Sequence, residues 1–288
     1  MEEKIIIPNP EKLAAIKKAM VKAGAEQLHV LSDFDRTLIK AFVDGESFSS
    51  LISVLYNQNY LTPNYGPKAQ ELYKKYYAVE LDPKIPKTEK KKAMLEWWTL
   101  HFDLLIKSGL NKRDLEKVVN SGKIKFRERF FELADFLKEH NVPLVIMSSG
   151  GLGRDSIKMC LEKEKKMYAN IHIISNAFEW DENGKAISVK QPIIYGMNKD
   201  EAAIQGYPEI FERIKNRKNV VLLGDSLDDV GMVQGFACEN IIKIGFLNDK
   251  IEENLEYYKK TFDVLILNDG SLDYANNLLR EIIQISAP

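Results

Sequence analysis

The sequence predicts an α/β protein: a doubly wound, mostly parallel sheet interrupted once by an inserted helical cap. Short apolar runs recur at Leu28–Leu31, Val142–Met147, Ile171–Ile174, Val220–Leu223, Ile241–Ile244 and Val264–Leu267. Several are rich in Val and Ile and do not alternate with polar residues, which is how strands covered on both faces read. Helical patterns such as Phe130–Lys138 and Leu255–Lys260 separate most of them, and alternating strands and helices imply parallel pairing. This rhythm stops between Ala41 and Phe126. There Pro67–Val79, Thr88–Leu105 and Asn111–Asn120 read as helices and no buried strand is evident. The expected division is a core from residues 1–40 and 127–288 and a cap from 41–126. Ser175–Gln191 reads as a hairpin, because Asp181-Glu-Asn-Gly184 is a turn signal between two short extended runs.

Composition narrows the partners. A chain of 288 residues can bury one large core with an inserted second unit. A formal net charge of -1 argues against a broad basic surface for a nucleic acid polymer, while local positive charge can still serve a small anionic ligand. Two cysteines, Cys160 and Cys238, are too few for a disulfide framework. No apolar run approaches the ~20 residues of a membrane helix, and MEEKIIIPNP is too short and acidic for a signal peptide. A cytoplasmic monomer without a membrane partner is expected.

The first strand runs into Ser32-Asp33-Phe34-Asp35-Arg36-Thr37-Leu38. Ligands in doubly wound sheets bind beyond the carboxyl ends of strands. Asp33 and Asp35, two apart, would share a face on a strand, and two such carboxylates repel unless a cation or a shared proton intervenes. An isolated D-x-D is most often a pair of solvated loop residues. Here Val220–Asp225 delivers another carboxylate at a strand end, with Asp228 and Asp229 close behind. Carboxylates converging on one sheet edge make a hard oxygen site suited to Mg²⁺. The run ending at Met147 continues into Ser148-Ser149-Gly150-Gly151, whose hydroxyls and amides can bind phosphate oxygens; alone it is as readily a plain glycine turn. Lys199, just before an expected helix, stands in the right order to be a phosphate counter-charge.

The order D-x-D-x-T, Ser, Lys, G-D-S-x-x-D resembles the haloacid dehalogenase superfamily, and the combination is far more specific than any member of it. The resemblance extends to the cap. Lys75-Tyr-Tyr-Ala-Val-Glu80-Leu-Asp-Pro and Glu96-Trp97-Trp98-Thr99 are similar to the cytosolic 5′-nucleotidase III family, as are Lys243–Lys250 and Asp263–Leu272. The likeness runs from about Leu13 to Ile283. That family comprises pyrimidine 5′-nucleotidases and relatives acting on 7-methylguanosine monophosphate.

The resemblance implies a magnesium-dependent 5′-nucleotidase acting on a small nucleotide. Asp33 matches the nucleophile that forms an aspartyl-phosphate, and Asp35 the general acid and later base. Mg²⁺ would be held by Asp33, the backbone carbonyl of Asp35 and Asp225, with Asp229 orienting these groups. Ser148, an adjacent backbone amide and Lys199 would bind the non-bridging oxygens, with Ser149 beside them. Glu80 matches a residue that contacts the nucleobase. Adjacent helical residues point about 100° apart, so one of Trp97 and Trp98 is expected in the core and the other, with Trp98 favoured, at the cleft. The sequence departs from the family pattern twice. His101 stands where a base-reading Ser is usual, and Ser148–Gly153 is one residue longer than the usual S-A-G-[IL]-G. The rival readings are another phosphatase of the superfamily, such as a phosphoserine phosphatase, and a non-catalytic nucleotide-binding protein; the cap motif argues against the first, the intact acidic and Lys motifs against the second.

Overall fold

The computed structural model describes residues 4–47, 50–82, 84–199, 206–234 and 237–284. The chain begins with an edge strand β1 (Ile5–Ile6) and helix α1 (Pro10–Ala23). Asn9 caps α1 by accepting from the Lys12 amide at 2.9 Å, Pro10 opens it, and Gly24 at φ 83° ends it. Strand β2 (Leu28–Ser32) is buried throughout, including the polar His29 and Ser32.

Between β2 and β5 (Leu144–Ser148) lie a two-residue hairpin, β3 (Phe42–Val43) and β4 (Glu46–Ser47), and helices α2 (Leu51–Asn57), α3 (Tyr65–Leu81), α4 (Lys87–Lys107) and α5 (Lys112–Asn120). Neither β3 nor β4 joins the main sheet. The hairpin escapes the sequence pattern because it is so short, and its turn residues Asp44 and Gly45 both have positive φ. The chain leaves and returns side by side: the Lys40 amide donates to the Lys125 carbonyl (2.9 Å) and the Arg127 amide to the Leu38 carbonyl (2.8 Å).

Helix α6 (Phe130–Glu139), β5, α7 (Gly153–Lys163) and β6 (Ile171–Ser175) follow, then the hairpin β7 (Phe178–Trp180) and β8 (Ala186–Val189). Strands β9 (Asn219–Gly224), β10 (Asn240–Leu247) and β11 (Val264–Leu267) complete the sheet. Its order is β1-β11-β10-β9-β2-β5-β6. All neighbours pair in parallel except β1 against β11. The expected strand at Val142 starts two residues later, since Pro143 has no N–H to give a ladder. The helix expected after Lys199 falls on residues 200–205, outside the described residues.

Apolar side chains from both sheet faces pack against the flanking helices in two clusters, one around Val30, Ile146 and Val221, the other around Leu31, Val145 and Leu222. Alternate residues of the same strands feed opposite layers, which is why these runs are apolar at most positions.

Candidate active site

Strands β9, β2 and β5 are adjacent, so their carboxyl ends bring Asp225, Asp33 and Ser148 to one edge. The strand proper ends at Ser32, so Asp33 and Asp35 project from the turn that follows it. They therefore do not share a strand face. Asp33 prolongs the ladder by one bond, its amide donating to the Leu223 carbonyl at 3.0 Å. Gly224 is required here: a Cβ would lie 2.5 Å from Asp229 Cβ.

Carboxylate oxygens of Asp33, Asp225 and Asp229 lie within 4.8 Å of one another. Lys199 Nζ stands between two of these groups, 2.7 Å from Asp33 Oδ1 and 2.7 Å from Asp229 Oδ1. Asp229 Oδ2 accepts from the Asp225 and Ser226 amides at 3.0 and 2.9 Å. Both Asp229 oxygens are thus committed to fixing neighbours. Arg36, which no motif in the sequence singles out, donates to Asp225 Oδ2 (3.2 Å) and Asp249 Oδ2 (2.8 Å). Its backbone is left-handed, φ 60°, a conformation a non-glycine residue adopts only when its surroundings hold it there.

Burial, opposed by Lys199 and reinforced by Asp229, pushes the Asp33 carboxyl up to about 6. Burial and then the Asp33 charge push Asp35 up to about 7. Burial, Asp33 and Asp229 raise Asp225 well above the usual carboxylate range. Burial disfavours the Lys199 ammonium, but Asp229 and Asp33 more than reverse this, and its pKa rises. Four carboxyls (Asp33, Asp35, Asp225, Asp229) thus face two cationic side chains (Lys199, Arg36) at the strand ends. The unbalanced charge and the all-oxygen donors fit a hard divalent cation.

Asp35 Oδ1 accepts from the Leu51 amide at 3.1 Å, the first residue of α2. A Cβ on Gly150 would lie 3.1 Å from both Asp35 Oδ2 and Ser148 Oγ, so the serine loop packs on the acid. Ser148 Oγ accepts from the Gly150 amide at 3.0 Å. Gly151 admits the inserted segment: its Cβ would lie 2.5 Å from Ile52 Cδ1 and 3.0 Å from Trp98 Cζ3.

One cleft of about 290 Å³ is bordered by Asp33, Asp35, Ser148, Ser149, Lys199, Asp225 and Asp229 and also by Glu80, Trp97 and Trp98. Burial, then Asp228, raises the Glu80 pKa against the pull of Lys90. Both tryptophans reach the cleft, contrary to the expectation of one core and one cleft residue. The reason is an aromatic stack across α3 and α4: Tyr76 lies parallel to Trp97 (6.1 Å, 7°), and Trp97 stacks on Trp98 (5.9 Å, 23°). The Trp97 Nε1–H is buried with no hydrogen-bond partner among the described residues. His101 does not border this cleft. It lines a neighbouring apolar cavity of about 380 Å³ that shares Ser50, Trp97 and Trp98 with it. There His101 Nε2 pairs with Tyr65 Oη at 3.1 Å, and burial holds its pKa near 4. A larger cavity, about 640 Å³, lies beside Phe126–Phe131. Its Lys125, Arg129 and Lys163 are already engaged by Asp44, Glu132 and the Val119 carbonyl.

The fold is shared with a HAD family hydrolase of Salmonella enterica subsp. enterica serovar Typhi, at TM-score 0.59 and 14% identity over 96% of this chain and 81% of that one. The chain shares that fold and gathers carboxylates at its adjoining strand ends. The family model for pyrimidine 5′-nucleotidase (UMPH-1) matches residues 36–283, and the chain belongs to that family. It is 34% identical to the 7-methylguanosine phosphate-specific 5′-nucleotidase of Gallus gallus, over 96% of this chain and 95% of the relative. A crystal structure of cytosolic 5′-nucleotidase IIIB bound to cytidine matches at TM-score 0.86 and 27% identity, over 98% of this chain and 94% of that one.

Proposed function

We propose that the chain is a magnesium-dependent 5′-nucleotidase that hydrolyses CMP, UMP or 7-methyl-GMP through an aspartyl-phosphate on Asp33. Family membership supplies the reaction class, a 5′-nucleotidase. The observation that carries the finer reading is the single cleft bordered by the Asp, Ser and Lys groups and also by Glu80 and the Trp pair. Phosphate chemistry and a flat, hydrogen-bonding ligand are accommodated together.

Asp33 attacks phosphorus while the P–O5′ bond breaks, and Asp35 gives its proton to the leaving O5′. With its carboxyl pushed up to about 7 by burial, Asp35 is suited to hold that proton near neutral pH. Water then attacks the phosphoryl group, Asp35 takes its proton back, and Asp33 is freed with release of phosphate. Lys199, Ser148 and the amides beside Ser149 bind the non-bridging oxygens. Asp33, the Asp35 carbonyl and Asp225 would hold Mg²⁺, with Asp229 fixing Asp225. When bound, the ion offsets the repulsion between nucleophile and phosphate. Residues 41–126 serve as the cap. Glu80 accepts from a base amino group, and the tryptophan faces stack on the base. A methylated guanine, being cationic, suits an indole face especially well.

No helix among the described residues is long and apolar enough to cross a membrane. We place the enzyme in the cytoplasm as a monomer, acting on a small-molecule nucleotide. The test is phosphate release, with and without Mg²⁺, from CMP, UMP, 7-methyl-GMP, AMP and p-nitrophenyl phosphate. Metal-independent turnover, or no preference for CMP, UMP or 7-methyl-GMP over p-nitrophenyl phosphate, would sink the reading.

A further inference from the structure

Arg127 is 1% exposed, and its guanidinium is completely enclosed. An arginine carries five N–H donors, and this one finds five acceptors. Nε donates to the Thr37 carbonyl at 2.6 Å. Nη1 donates to the Gly270 carbonyl at 2.7 Å and lies 3.0 Å from Asp269 Oδ1. Nη2 donates to the Arg36 carbonyl and, at 3.1 Å, to Asn248 Oδ1. The plane rests 4.2 Å from the Phe246 ring centroid. Burial lowers its pKa, opposed first by Asp269, to about 10, so the group stays charged at neutral pH.

These partners have a pattern. Thr37 and Arg36 belong to the turn that carries Asp33 and Asp35. Asn248 follows β10, and Asp269 and Gly270 follow β11. The same acceptors reach further. Asn248 Nδ2 donates to the Arg36 carbonyl at 3.0 Å. Asp269 accepts from the Ala41 and Phe42 amides at 2.9 and 3.2 Å, where the inserted segment begins. Arg127 itself sits where that segment returns to the core. One buried cation thus clamps the turn after the Asp pair, the ends of two strands and the start of the insert.

We propose that Arg127 is a positioning residue for phosphoryl transfer. It fixes the backbone of the Arg36–Thr37 turn, and through it the Asp35 carboxyl and the Arg36 guanidinium that holds Asp225. The inference rests on the roles assigned above to Asp33 and Asp35. Attack and leaving-group protonation need atoms aligned within a fraction of an ångström, and a misplacement of about 1 Å can cost ~100-fold in rate. Lysine keeps the charge but supplies three donors from one point in place of the planar fork, so it cannot hold the three carbonyls and both side-chain partners at once.

The test compares wild type, Arg127→Lys and Asn248→Ala, each shown folded by circular dichroism and gel filtration. Kinetics are measured on CMP and on p-nitrophenyl phosphate at saturating Mg²⁺. Arg127→Lys should lower kcat at least tenfold on both substrates, with each KM within about threefold of wild type. Asn248→Ala, which removes one donor to the Arg36 carbonyl and leaves Arg127 in place, should lower kcat on both severalfold. It keeps the test decisive if Arg127→Lys does not fold. A merely structural Arg127 would lower the melting temperature and leave kcat per folded molecule within twofold of wild type in both variants, and that result overturns the proposal. Absence of turnover by wild type on any phosphate ester would instead count against the assigned chemistry.

Discussion

The Asp35 carboxylate accepts a hydrogen bond from the Leu51 amide, 3.1 Å away. The residue assigned as general acid is thereby tied to the N-terminus of the first helix in the inserted segment. An Asn at position 35 can still accept that bond but cannot donate a proton as an acid. Asp35→Asn should therefore fold normally and lower kcat on CMP by about 100-fold or more. Formation of the phospho-enzyme from p-nitrophenyl phosphate should slow by less than tenfold, because p-nitrophenolate leaves without protonation. Rapid-quench measurement of both first steps decides it; equal losses would remove Asp35 from the role of acid.

Asp33→Asn keeps size and removes the attacking charge. Lys199 retains Asp229 as its partner at 2.7 Å, so the site should stay assembled. Nucleotide binding should persist by calorimetry while kcat falls below a hundredth of wild type, a barrier increase of more than ~2.7 kcal/mol. A smaller loss would mean that Asp33 is not the nucleophile.

Asp225→Ala removes one oxygen donor from the acidic cluster and leaves Arg36 without its Asp225 contact. Magnesium affinity, titrated calorimetrically, should drop at least tenfold, and the activity curve against Mg²⁺ should shift by the same factor. An unchanged titration would take Asp225 out of the metal site.

Glu80→Ala should separate base recognition from chemistry. A buried polar site penalises a ligand that leaves its groups unpaired. We expect wild type to prefer CMP or 7-methyl-GMP over AMP in kcat/KM. The substitution should shrink that preference while p-nitrophenyl phosphate turnover changes less than threefold. Equal proportional losses on all four substrates would mark Glu80 as a structural residue of α3.

His101 gives a stability prediction with a definite sign. Burial lowers its pKa from 6.5 to about 4, so between these values the unfolded chain binds the proton and the folded one does not. Its contribution is therefore fully present above pH 6.5 and is lost as the pH falls toward 4. By pH 5 the loss should reach about 1 kcal/mol, discounted for the part of the ring that remains exposed. His101→Gln, which can still meet Tyr65, should show a shallower fall in melting temperature from pH 7 to 5. Parallel curves for the two proteins would contradict this.

The sheet and the residues at its strand ends were legible in the sequence. Each of the six predicted apolar runs became a strand, because a run covered on both faces is apolar at most positions and so announces itself locally. Asp33, Ser148 and Asp225 were legible because each directly follows, or closes, such a run. Tertiary structure alone decided how these groups are held. Arg36 and Asp225 are 189 residues apart, and Arg127 meets Gly270 across 143. A lone arginine beside a loop carries no periodic signal that names partners so distant. Trp97 and Trp98 both reached the cleft because stacking with Tyr76 across α3 and α4 turned the helix edge toward it, which the 100° rule for one helix could not foresee. His101 stands where the family resemblance puts a base-reading Ser, and it lies against Tyr65 in the adjoining cavity. Which cavity a helical side chain enters depends on the helix packed beside it, and that packing exists only once the chain has folded.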